Sequence, residues 1–250
     1  MTLIRTHESN IFQKGKQCRV QCATLPPKIA KTTPWNTVCV DLIGPYTIKG
    51  KDGTILYFMC LTMIDPATGW FEVVELPNCD IEYVRDKDDK KEIIDVIIDK
   101  SSATVAQLFK GKWLSCYPRA KHVVYNNGSE FRLHFGSLCD SYGLQRKQTT
   151  IKNPQVNTVF KCTHCVLADM LRTSGLDKSD TVTEVMITDF LNDVAWAIHS
   201  TYHTVLRSTP VSAIFGRDML YDIPYLADWT KIGKRRQGLL DCDCTKGNLR

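Results

Sequence analysis

VVYNNGSEF, residues 123–131, sets the reading of this chain. Val123, Val124 and Tyr125 followed by Asn126, Asn127 and Gly128 predict a buried strand that runs out into a tight turn. In open α/β sheets such strand ends are where ligands and chemistry gather. An aspartate at this point would be a good metal ligand; Asn126 keeps the shape and one carbonyl oxygen but gives up the charge.

Upstream, TVCVDLIG, ILYFMCLTMID and WFEVVEL are apolar, β-branched runs separated by GKDG and PATG turns, which predicts a meander of three strands. RDKDDKK, from Arg85 to Lys91, reads as a solvated loop. Val105, Leu108, Phe109 and Trp113 fall at helical spacing within SSATVAQLFKGKWLSC. After KHVVYN come a helix ended by Gly143, a short strand in LQRKQTT, and two longer helices, over about 156–173 and 182–205. The order β-β-β-α-β-α-β-α-α implies a mixed α/β sheet with helices on both faces. Residues 1–33 read as a linker or the remnant of a small module, 34–217 as one domain, and 218–250, ending in KIGKRRQGLLDCDCTKGNLR, as an aperiodic tail.

The chain has 250 residues, 43% of them apolar and 24% charged, enough to bury a full core. Its net charge of +5 suits a polyanionic partner without requiring one. No apolar run reaches the roughly 18–20 residues of a membrane span, and MTLIRTHESN lacks the apolar core of a secretory leader. An intracellular protein with no membrane partner is expected. Eleven cysteines scattered along the chain fit reduced thiols better than a disulfide framework.

Three segments carry a family resemblance. PWNTVCVDLIGPY (34–46), YNNGSEF (125–131) and KNPQVNTVFKCTHCVL (152–167) resemble motifs of the ribonuclease-H-like catalytic core of retroviral and retrotransposon integrases, most closely the Ty3/gypsy type. TYHTVLRSTPVSAIFGR is similar to the segment that closes that core. The resemblance implies a mixed five-stranded sheet flanked by helices and, by descent, a Pol-type retroelement protein of DNA integration. It also implies DNA as partner, a homodimer through the core and a nuclear destination, although KIGKRRQ is too weak to be a nuclear signal.

In that family three carboxylates hold two Mg²⁺ or Mn²⁺ ions about 3.5–4 Å apart. The matching positions here are Asp41, Asn126 and Lys161, so a formal charge of −3 becomes zero (−1, 0 and +1). Cations that close together repel and need negative oxygen ligands to hold them. A degenerate triad without a two-metal site is expected, a pseudoenzyme in which Lys161 pairs with Asp41 or, alternatively, swings to solvent while Asp41 bonds backbone groups. Neither Glu130 nor Asp169 is placed to substitute: Asp169 lies eight residues past Lys161, roughly 12 Å along a helix. Weak one-metal strand transfer and a purely structural dimerisation role are the alternatives.

The same resemblance assigns DNA contacts to Arg146, Lys147, Lys152, Asn153, Gln155 and Asn157, donors suited to phosphates and base edges. Other metal-like spacings carry little. In SNIFQK, Ser9 and Phe12 stand at the cysteine positions of the family's zinc module, and neither supplies a thiolate. Cys162 and Cys165 fall inside a predicted helix without a second pair and read as unpaired thiols. His199 and His203, four apart on a predicted helix, lack the glutamate of a His-Glu-x-x-His motif and read as structural.

Overall fold

The computed structural model describes residues 29–53, 55–85, 92–149, 158–221 and 223–248; among these, the side chains of 79–85, 92–97, 158–161 and 243–248 are not described. Residues 30–237 form one compact unit, and the described residues 29 and 238–248 belong to a second.

Strands β1 (Thr37–Lys49), β2 (Ile55–Ile64) and β3 (Phe71–Glu75) form the predicted meander. Joined by β6 (His122–Tyr125) and β7 (Gln145–Gln148), they make a five-stranded sheet of order β3-β2-β1-β6-β7. The meander pairs antiparallel, whereas β1 with β6 and β6 with β7 pair parallel, so the sheet is mixed as expected. A separate antiparallel hairpin, β4 (Asn78–Arg85) with β5 (Glu92–Ile98), flanks the charged stretch, most of which lies outside the described residues.

Side chains alternate between the two sheet faces, and each face has its own core. Val38, Val40, Leu61, Met63, Val123 and Tyr125 pack against helices α1 (Ser102–Phe109) and α2 (Leu133–Ser141) through Val105, Phe109, Phe135 and Cys139. Cys39, Ile43, Cys60, Ile64 and Val124 face α3 (Thr158–Thr173) and α4 (Glu184–Ser200), meeting Leu167, Ile187, Phe190 and Val194. Ser101 caps α1 and Thr183 caps α4, each hydroxyl accepting a backbone N–H of the first turn. The helix expected to run to Val205 stops at Ser200; His203 lies beyond it in a bridge to Ser208.

Helices α5 (Pro210–Phe215) and α6 (Trp229–Asn248) complete the fold. The second occupies the stretch read as an aperiodic tail. Within the larger unit its apolar anchors include Ile232, fully buried beside Leu206 and Ala213, and Trp229 packed against that cluster. The β2–β3 turn is organised by Asp65, fully buried, whose carboxylate accepts from the backbone N–H groups of Trp35 and Ala67 and from the Thr68 hydroxyl, each at 2.9 Å.

Candidate functional site

Parallel pairing of β1 with β6 matches Thr37 to His122, Val38 to Val123 and Cys39 to Val124, a constant offset that carries Asn126 opposite Asp41. Both sit on the sheet face covered by α3 and α4, since Asp41 shares its parity with Cys39 and Ile43, and Asn126 with Val124. The pair is in contact. Asn126 donates from Nδ2 to Asp41 Oδ1 at 3.0 Å, and its own Oδ1 accepts the Gly128 N–H at 2.8 Å. The backbone N–H can only donate, so it fixes which end of the amide is oxygen. What Asn126 turns toward Asp41 is therefore a donor.

Asp41 Oδ1 also accepts the N–H of Leu42 at 3.0 Å. Burial raises its pKa to about 6, opposed by the bonds from Leu42 and Asn126 and reinforced by the charge of Glu130. Glu130, in the 3₁₀ turn Ser129–Phe131, folds back over Gly128, where a Cβ would lie 2.0 Å from its Oε1. A side chain at position 128 would make this carboxylate swing aside.

The second neighbour of the site is His164, which sequence reading passed over. Thr62, paired with Asp41 across β1 and β2, donates its hydroxyl to the Asp41 carbonyl at 2.9 Å and lies 3.0 Å from His164 Nε2. With its one proton already given to a carbonyl, the hydroxyl can only accept from the ring, so Nε2 carries the hydrogen. Burial lowers the His164 pKa to about 4, and the ring is neutral at physiological pH. The signal was available in the sequence: His164 follows Lys161 by three residues, one helical turn, so the two positions share a side of α3. The ion pair expected between Lys161 and Asp41 lies outside the described side chains.

The two-metal arrangement does not fit these residues. At Asp41 and Asn126, two of the positions the resemblance implies, there is one carboxylate, and one of its oxygens already accepts two N–H donors. The neighbouring amide presents hydrogen atoms where a cation would need oxygen.

Adjacent basic residues on β7 separate. Lys147 pairs with Val124 and shares the Asp41 face, two strands over (about 10 Å) and one side-chain row down (about 7 Å). Arg146 pairs with Val123 on the opposite face, 3.2 Å from Asp140 of α2. Lys152, Asn153, Gln155 and Asn157 lie outside the described residues, as do Ser9 and Phe12. His199 is a core residue: its ring stacks on Trp70 with centroids 3.6 Å apart, and Nε2 contacts the Phe71 carbonyl at 2.7 Å.

The sign of the Asp41 shift gives a stability test. Its pKa rises from an ordinary 3.8 to about 6 on folding, so the folded state holds the proton more tightly. Stability contributed by this group is fully present below about pH 4 and falls as pH rises to about 6. Asp41→Asn, which keeps an oxygen for Leu42 and Asn126, should leave the Tm unchanged at pH 4. At pH 7.5 it should raise the Tm by a few degrees, about 1–2 kcal/mol after discounting for partial exposure. A lowered Tm at pH 7.5, by differential scanning fluorimetry, would mean that a cation pairs with Asp41.

No protein-family model matches the sequence, and no curated protein matches it either. Solved structures do. A chain of the simian T-cell lymphotropic virus intasome, in complex with PP2A regulatory subunit B56 gamma, superimposes with a TM-score of 0.54 at 15% identity, over 82% of this chain. The two share a fold, a mixed five-stranded sheet flanked by helices. The present chain spans 63% of the length of that intasome chain. The HTLV-2 integrase catalytic core domain in complex with magnesium (TM-score 0.47, 13% identity, 74% of this chain and 97% of that one) is also similar. So is the catalytic core of BIV integrase (0.46, 16%, 71% and 92%). At these identities the likeness is one of fold. No described helix is long and apolar enough to cross a membrane.

Proposed function

We propose that this chain is an integrase-core protein of Ty3/gypsy retrotransposon origin that binds DNA and has lost strand-transfer chemistry. The observation that carries this reading is the Asn126 amide, its oxygen held by Gly128 and its NH₂ turned to Asp41. An aspartate at the same place would offer the site a second carboxylate instead. Asp→Asn and, at position 161, Glu→Lys are each single-base changes, which suits a copy whose cutting activity ceased to be selected while its fold was kept.

DNA binding rests on a smaller set of donors than the sequence suggested. Lys147 lies on the Asp41 face, and Lys152, Asn153, Gln155 and Asn157 follow it in the chain; Arg146 is occupied by Asp140 on the other face. Replacing an acidic triad by a neutral set removes repulsion toward phosphate. With about three phosphate contacts, affinity for a duplex should fall roughly 40-fold between about 50 and about 200 mM salt. Fluorescence anisotropy checks this, and Lys147→Ala should flatten the log–log slope by about one. Affinity independent of salt would count against the DNA role.

A second copy of the chain is the other proposed partner. Val185 and Trp196 on α4 are 68% and 48% exposed, and the same helix contributes Glu184, Thr188, Leu191 and Asn192 to a cavity of about 380 Å³ bounded also by β3 and Leu108. Exposed aromatic and aliphatic side chains around such a depression suit an interface. Sedimentation equilibrium should give a dimer that Trp196→Glu converts to monomer; a monomeric unmodified protein would refute it.

A further inference from the structure

We propose that Cys162 and Cys165 form a two-thiolate site for a thiophilic d¹⁰ cation of the Zn²⁺ or Cd²⁺ class. Both thiols are exposed on α3, three residues apart, while His164 between them turns to Thr62 on the sheet. The DNA-binding reading makes no use of them.

Helical geometry favours an ion over a disulfide. Side chains three apart on a helix have Cβ atoms about 5–6 Å apart. A disulfide draws its Cβ atoms to about 3.5–4.5 Å and its sulfurs to about 2.05 Å, so closing one here would force α3 to loosen. Two metal–sulfur bonds of about 2.3 Å at a tetrahedral angle leave the sulfurs roughly 3.8 Å apart, which the unstrained helix can supply. Each thiol releases its proton to solvent as the metal–sulfur bond forms. No group of three or more His, Cys, Asp or Glu gathers around a metal position among the described residues, so water completes the coordination. Affinity should accordingly fall short of closed four-ligand sites.

The test is a Cd²⁺ titration of the reduced full-length chain, followed by the ultraviolet thiolate-to-metal charge-transfer band. The chain contains eleven cysteines, so single variants are compared with the unmodified protein. Cys162→Ser and Cys165→Ser should each lose the same one equivalent of Cd²⁺, while Cys116→Ser and Cys242→Ser, also at exposed positions, retain it. Matched melting curves show that the variants fold. Full stoichiometry in either Cys162→Ser or Cys165→Ser would overturn the proposal.

Discussion

The double variant Asn126→Asp, Lys161→Glu should acquire a Mn²⁺-dependent rise in Tm that the unmodified protein lacks. In metal-free buffer the variant brings a second carboxylate within hydrogen-bonding range of Asp41, whose pKa is already raised to about 6 by burial and by Glu130. It also loses the donor that Asn126 supplies, so its Tm should fall. Added cation reverses the sign, because clustered carboxylates are then ligands rather than repelling neighbours. At about 100 times its dissociation constant, Mn²⁺ stabilises by about 2.7 kcal/mol. For a domain of this size that is a shift of roughly 5–10 °C. The unmodified protein, with an amide N–H aimed at its remaining carboxylate, should show no shift.

The largest loss of stability is expected from Asp65→Ala. Asp65, at zero solvent exposure, gathers the Trp35 and Ala67 N–H groups and the Thr68 hydroxyl, so the substitution strands two buried donors and one part-buried donor at once. Burial raises the Asp65 pKa, opposed by its three hydrogen bonds and by the charge of Arg236, which donates to the Pro66 carbonyl and would lose this neighbour too. Removing one member of such a buried set costs about 3–5 kcal/mol. For a domain of this size that lowers Tm by about 10 °C. Asp65 belongs to the turn joining β2 to β3, so chemical denaturation should report global unfolding at lower denaturant with the slope unchanged.

Much of this was legible in the chain, for identifiable reasons. The meander and the Asn126 turn follow from period-two apolar runs broken by Gly and Pro, and parallel pairing then leaves Asn126 no place but beside Asp41. Four features read less well. Arg146 and Lys147 read as one group in the sequence, but neighbours in a strand point to opposite faces, and of the two it is Lys147 that shares the site's face. His164 was hidden by the cysteines around it, which drew attention to thiol spacing instead of to its place one turn after Lys161. The α6 helix escaped because its apolar pattern is thin: Gly233 and Gly238 interrupt it, charges surround it, and Ile232 alone among its described residues is buried. The β4–β5 hairpin was masked in the same way by the charged run between its strands.

The proposed loss of chemistry through Asn126 and Lys161 is tested most directly by a disintegration assay, the reversal of strand transfer. It compares the unmodified chain with the Asn126→Asp, Lys161→Glu variant in Mn²⁺. The expected result is background cleavage from the unmodified protein and measurable turnover from the variant. Turnover by the unmodified protein at the variant's rate would contradict the account, since a site in which Asn126 donates to Asp41 would then be holding metal well enough to work.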